Sequence, residues 1–426
     1  MLSVDNIKNC CGCWACSQIC PQKCISFQED EEGFLYPFVN QENCINCGLC
    51  EKVCPAINRN EPRTPLKVYA SKNPDDTIRL QSSSGGVFTM LAEKIIDEGG
   101  VVFGVKWNEK WEAVHGYVET KDGLAAFRGS KYLQSKVGSA YSDVKLFLKD
   151  GRLVLFCGTP CQVAGLRLYL GKEYENLFTI DFICHGVPSP GVFRWYLQEE
   201  LNKYAPSAFK HTDSHRLIHF LPKADFILPE GYEIKDIRFR DKKKGWKKYG
   251  FALDLIRVTA EGEKKKIKYQ NQHTFLKGMN YYLRKSCYEC VHRSLRSGSD
   301  ITLADFWGIQ TLFPNYDDDK GVSAVIVNSE KGVMLTDVLK NCSIETNFAD
   351  LLSRNGSLEH SPVLVKEKRQ YIYNENLNKS LKERVDEVTK ESIVVKLKKL
   401  PRTIVYGIFG ENRIQKLKKS LNHVNS

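Results

Sequence analysis

Cys10, Cys13, Cys16 and Cys20-Pro21 stand in the spacing C-x2-C-x2-C-x3-C-P, and Cys44, Cys47, Cys50 and Cys54-Pro55 repeat it 34 residues on. Three closely spaced cysteines supply three thiolates to a 4Fe–4S cube, and the fourth cysteine of each run ligates the cube of the other run. The spacing therefore predicts one cluster on Cys10, Cys13, Cys16 and Cys54 and a second on Cys44, Cys47, Cys50 and Cys20. Structural zinc sites pair two CxxC units and need neither the third cysteine nor the proline. Zinc and a disulfide framework are the poorer readings. Cys11 and Cys24 lie outside the pattern and read as small buried residues.

Other chemistry-bearing residues lie further along. The turn 81–86 (QSSSGG) opens a run with helical spacing, Val87, Leu91 and Ile95 on one face. Such a turn suits a phosphate or flavin edge, and equally a tightly packed helix start. No G-x-G-x-x-G follows a strand, so the nicotinamide fingerprint is absent. Lys131 sits in a polar loop, 128–135, where it can contact a phosphate or simply solvent. Cys287-Tyr-Glu-Cys290 is open between a redox pair, zinc and a cluster.

Elements must position these groups. Residues 24–39 read as a hairpin between the two cysteine runs, and 58–65 as a linker. Residues 153–157, a helix from Cys161 to about 170 and residues 177–184 read as a βαβ unit, with Thr159 as N-cap and Pro160 at the first helical position. Its parallel strands bring Cys157, Cys161 and Cys184 to one sheet edge, where sites form in α/β folds. Cys161 falls in the first helical turn, where the dipole favours a thiolate. Residues 233–240 and 251–258 read as strands around a basic aromatic loop, 241–249, suited to a polyanion or to solvent alone. Residues 301–306 and 322–327 read as further strands, the first ending near Asp305.

Composition narrows the class. The chain has 426 residues, a net charge of +11 and 42% hydrophobic residues, as expected for a globular protein of two or three domains. Residues 1–60 carry four Lys/Arg and seven Asp/Glu, a net of −3, leaving +14 for the rest. An acidic redox module on a basic body can steer a charged partner. No apolar run is long enough to cross a bilayer, and no leader is read at the start. Ten of the sixteen cysteines precede residue 55, eight of them in cluster register, which implies a reducing compartment, the cytoplasm. The basic amphipathic stretches 392–400 and 414–421 suit a helical tail, with peripheral membrane contact as the alternative.

These motifs together resemble the beta subunits of hydrogenases and formate dehydrogenases that use the deazaflavin coenzyme F420. The resemblance rests on SSGG at 83–86, SKY at 130–132, GTPCQ at 158–162, CHG at 184–186, CxxC at 287–290 and DITLADFWG at 300–308. It spans about 60–330 and is nearest to the branch with a two-cluster ferredoxin fused in front. The implied fold is α+β or α/β: a bacterial-type ferredoxin domain at 1–60, then a mixed α/β body of flavin-binding type. That body divides into 66–145 and 150–330, followed by a helical, basic extension, 331–426. The implied cofactors are FAD and a third 4Fe–4S cluster, on Cys161, Cys184, Cys287 and Cys290. Ser84, Gly85, Gly86, Thr159 and Asp305 would lie near the flavin, with Lys131 or His185 donating a proton or polarising substrate. The expected function is an iron–sulfur flavoprotein oxidoreductase acting on an organic substrate or the deazaflavin. The alternative is a relay subunit docked on a partner enzyme. Expected partners are a redox protein or a small electron donor, not nucleic acid.

Overall fold

The computed structural model describes residues 8–204, 227–228, 230–258, 262, 264–271, 274–374 and 376–390. The basic stretches 392–400 and 414–421, and most of 205–232, lie outside the described residues. Among those described, no helix is long and apolar enough to cross a membrane.

The N-terminal module folds around its cysteines. Gly12, Trp14, Asn46 and Gly48 have positive φ, which turns the chain tightly inside each cysteine run. Helix α1 (Ala15–Ile19) lies within the first run, carrying Cys16 and ending at Cys20. Strands β1 (Ile25–Glu29) and β2 (Leu35–Val39) pair antiparallel as the expected hairpin. Trp14 stacks on Phe27 at 4.0 Å. At the hairpin turn Gly33 has φ +84, and a Cβ there would meet the Gly191 backbone at 2.5 Å. Only glycine permits that approach of module to body.

The body is mixed α/β. Its strands are β3 (Lys67–Ser71), β4 (Val101–Trp107), β5 (Ala113–Val118), β6 (Val154–Cys157) and β7 (Leu177–Phe182). A hairpin pair, β8 (Tyr232–Asp241) and β9 (Gly250–Val258), leads to β10 (Lys264–Asn271), then β11 (Ile301–Asp305), β12 (Ser323–Val327) and β13 (Ser343–Thr346). Eight strands form one sheet in the order β13-β3-β12-β11-β7-β6-β4-β5. The centre, β4, β6, β7 and β11, is parallel, and the flanking pairs are antiparallel. Three more strands, β10-β9-β8, make a second sheet.

Helices cover both faces of the large sheet, as parallel strands require. Helix α2 (Val87–Asp97) buries Val87, Leu91 and Ile95 against β6, β11 and β12 residues. Helices α3 (Ala140–Lys149) and α4 (Pro160–Leu170) cover the other face, and Cys13, Ala15 and Val53 of the module join that core. The expected βαβ unit is β6-α4-β7. Pro160 opens α4, Gln162 Oε1 accepts from the Thr159 N–H at 2.9 Å, and left-handed Gly171 ends it. The small sheet packs its aromatic face, Phe239, Phe251 and Leu253, on α5 (Pro190–Tyr204). Helices α6 (Thr274–Gly278), α7 (Lys366–Tyr373) and α8 (Leu381–Val388) close that core.

Glu199 on α5 accepts from the Leu381 N–H at 2.6 Å and so holds the start of α8. Burial raises its pKa from 4.5 to about 7. Between those values the folded chain keeps a proton that the unfolded chain has released, so stability falls as pH rises from about 4.5 to about 7. Glu199→Gln should flatten that fall, gaining on the order of 1–3 kcal/mol over the wild type at pH 8 but not at pH 4, read by denaturant midpoints.

Candidate redox site

The N-terminal cysteines gather in two sets. Cys20, Cys44, Cys47 and Cys50 line one small cavity together with Cys24, whose sulfur lies 3.4 Å from that of Cys20. In the other set, the thiol of Cys16 is pushed up by burial and by the neighbouring Cys10 and Cys54. Burial raises Cys54 likewise, with Cys10 adding to it. Backbone N–H groups point at these sulfurs: Gly12 at Cys10 (3.3 Å), Ala15 at Cys13, Ser17 at Cys16, and Ala56 and Ile57 at Cys54. Such donors stabilise thiolates and tune the potential of a bound cluster.

The body cysteines converge as well. Cys161 at the start of α4, Cys184 after β7, and Cys287 and Cys290 line one cavity of about 330 Å³. The first two arrive by parallel pairing, because β6 and β7 run together and release their chains at the same edge. The CxxC is brought in by the segment preceding β11. Burial, then Cys287, Cys161 and Cys290, push the Cys184 thiol well up; burial and the same neighbours push Cys287 up to about 12. Crowded buried thiols disfavour ionisation, and a cationic metal core is what relieves them. Donors are again in place: Val187 N–H on Cys287 Sγ (3.5 Å), the His292 N–H on Cys290, and Thr159 Oγ1 within 3.1 Å of Cys161 Sγ. Among the described residues, no three Cys, His, Asp or Glu side chains converge on a single metal ion. A cubane needs no such point, since each of its irons takes one thiolate. The donor set fits it.

Several residues of this cavity carried no signal in the cysteine spacing. Cys11 lines it and touches both Cys13 and Cys161, so it lies between the two sets. His292 follows the CxxC by two residues and is buried, its pKa lowered to about 4 by burial and by Arg59. Asp181, held near 6 by burial, accepts from Thr302 Oγ1 at 2.5 Å. Arg293 donates to the carbonyls of Cys184 (3.2 Å), His185 (3.0 Å) and Ser357, clamping the Cys184 loop. Arg284 is fully buried. It donates to Cys10 O at 2.6 Å, Gln134 Oε1 at 2.6 Å and Leu35 O at 3.1 Å, and stacks 3.9 Å over Tyr36.

The remaining predicted residues fall in different places. Thr159 is on the cysteine cavity, against Cys161. Ser84 Oγ donates to Val322 O, and the Gly85 N–H donates to Ser323 Oγ, both at 2.9 Å, while a Cβ on Gly85 would lie 2.5 Å from Ser71 O. Gly86, at φ +78, caps α2. Asp305 pairs with Ser323 across β11 and β12, so it shares this neighbourhood. Its carboxylate binds Arg240 and accepts from Trp246 Nε1 at 3.0 Å. Trp246 stacks on Trp307 at 4.9 Å. Arg240 is 8% exposed, lies 4.2 Å over the Tyr249 ring, and leaves Nε and Nη2 without a hydrogen bond. Lys131, lowered to about 8 by burial, donates to the carbonyls of Ala126, Arg128 and Gly129 at 3.1–3.2 Å. The His185 ring bonds Ser357 Oγ at 3.1 Å and Asn280 Oδ1 at 2.6 Å.

Comparison with known proteins gives consistent matches. A model of the coenzyme F420 hydrogenase/dehydrogenase beta subunit N-terminal part matches residues 68–141, and its C-terminal counterpart matches 151–350. A 4Fe–4S dicluster model matches residues 9–57. No curated protein matches. Among solved structures, a chain of the xenon-derivatised F420-reducing NiFe hydrogenase complex from Methanosarcina barkeri is 15% identical. The alignment covers 79% of this chain and 92% of that one, with a TM-score of 0.39.

Replacing Arg284 with Met keeps the bulk and removes its hydrogen bonds to Cys10 O, Gln134 Oε1 and Leu35 O, leaving Ser286 Oγ as the side-chain donor to Cys10 O. We expect a loss of about 2–5 kcal/mol in anaerobic denaturant unfolding. Arg284→Lys should not recover it, because an ammonium cannot span three acceptors with a planar fork.

Proposed function

Since the chain belongs to the coenzyme F420 hydrogenase/dehydrogenase beta-subunit family and carries a 4Fe–4S dicluster domain in front, we propose that it is a three-cluster iron–sulfur flavoprotein oxidoreductase. Cys10, Cys13, Cys16 and Cys54 hold the first cluster, Cys20, Cys44, Cys47 and Cys50 the second, and Cys161, Cys184, Cys287 and Cys290 the third. The observation that carries this reading is the meeting of four body cysteines, from three separate segments, on one cavity that also contains Cys11 of the module. Bound clusters would pass single electrons, and a flavin would exchange two with an organic substrate or a deazaflavin.

The chain's own groups fix the geometry. Cys47 is exposed and Ile45 beside it is 60% exposed, so the second cysteine set faces an incoming redox protein or small donor. Gly165 on α4 lies against Cys13, where a Cβ would sit 3.0 Å from the sulfur, which keeps the first set close to the helix that begins at Cys161. Ile183, Leu295 and Leu358 wall the third cavity and also pack in the cluster that contains Trp246 and Trp307. That aromatic shelf, with its buried and incompletely bonded Arg240, fits a flavin: the guanidinium offers two donors to a ring carbonyl or phosphate. Asp305 orients Arg240 for this, while Ser84 and Gly85 brace the shelf through Val322 and Ser323 and Gly86 opens α2 beside them. With their polar atoms engaged by the chain, Lys131 and His185 serve here to hold the 126–129 and 184–187 turns.

Anaerobically purified protein should carry about twelve irons and acid-releasable FAD, and Cys161→Ser should lose about four irons. Eight irons that do not fall on that substitution would overturn the third cluster, and eight irons without flavin would favour a relay subunit docked on a partner enzyme.

A further inference from the structure

His292 is 4% exposed and lines the cavity of Cys161, Cys184, Cys287 and Cys290. Its Nε2 is fully buried and makes no hydrogen bond. Buried polar atoms are nearly always partnered, and an exception at a cavity points to whatever fills that cavity. The His292 main-chain N–H donates to Cys290, which anchors the residue beside the cysteine ligands. Four cysteines already supply one thiolate per iron, so the imidazole is not needed as a ligand. Its remaining role is that of a donor.

We propose that His292, as its Nε2–H tautomer, donates a hydrogen bond to a sulfur of the third cluster and raises that cluster's reduction potential. The inference rests on the third-cluster assignment above. A donor at sulfur stabilises the reduced cluster, which carries the extra negative charge, more than the oxidised one. Arg59 and Arg293 line the same cavity and act in the same sense, while Asp181 and Glu289 line it too and act in the opposite one. Of these, His292 has the unsatisfied nitrogen, so its effect is a directional bond rather than a field. The third cluster then accepts electrons from the first more readily than its four thiolates alone would allow.

The test is a redox titration followed by EPR on full-length wild type, His292→Ala and His292→Gln, all purified anaerobically. His292→Ala should keep about twelve irons. One of the three midpoints should fall by about tenfold in the reduction equilibrium, roughly 59 mV for a one-electron couple. His292→Gln, which keeps an N–H, should restore at least half of that fall. Three unchanged midpoints at full iron content would overturn the proposal, as would loss of iron from His292→Ala, which would make the residue a ligand. Pulsed EPR on reduced wild type grown with ¹⁵N-histidine needs no variant. A weakly coupled histidine nitrogen supports the bond, and its absence overturns it. Eight irons in the wild type would remove the cluster assignment itself, and this proposal with it.

Discussion

A buried guanidinium joins the two halves of this protein. Arg284 has no carboxylate partner in its hydrogen-bond set. It is held by two backbone carbonyls and an amide oxygen, drawn from the first cysteine loop, from β2 and from the loop after β5. A buried charge is tolerated only when its donors are satisfied. Module and body therefore cannot separate without exposing or orphaning that charge. Arg369 repeats the device on the other side, binding Glu32 at 2.9 Å and Leu283 O at 2.7 Å, and Arg194 pairs with Glu29. The acidic excess of the module, read from composition as a means of steering partners, is thus partly spent on docking the module to its own body.

That docking makes the cysteines continuous. Cys11 stands between Cys13 and Cys161, and Gly12 is so close to Gln134 that a Cβ would overlap its amide. Electron transfer needs fixed separations more than it needs contacts with solvent, and rigid elements supply them. The parallel strands β6 and β7 deliver Cys161 and Cys184. Arg293 then locks the Cys184 loop, and the same layer of Ile183, Leu295 and Leu358 reaches the tryptophan pair. Each step uses packing that stability already requires.

The thiols set a further constraint. Cys184 and Cys287 are buried among other thiols that each resist ionisation. His292 Nε2 faces no hydrogen-bond partner beside them. Metal binding and folding are coupled wherever ligands must deprotonate to bind, so the proposed third cluster would tie the body's stability to occupancy of this cavity.

Local signals in the sequence determined much of this. The C-x2-C-x2-C-x3-C-P repeats encode their own turns, because Gly12 and Gly48 allow the left-handed backbone that aims peptide N–H groups at sulfur. The β6-α4-β7 unit was legible from Thr159-Pro160 and the apolar runs, since capping and periodicity act within a few residues. Tertiary structure alone decided the rest. Cys11 read as a small buried residue, and only the approach of α4 sets it against Cys161. Arg284 and His292 lie within a few residues of the CxxC, yet their roles depend on groups up to 274 residues away in sequence. The antiparallel flanks of the sheet, β13-β3-β12, join strands whose pairing no local pattern specifies. Spacing fixes which residues can share a metal; burial and long-range packing fix which other groups must face it.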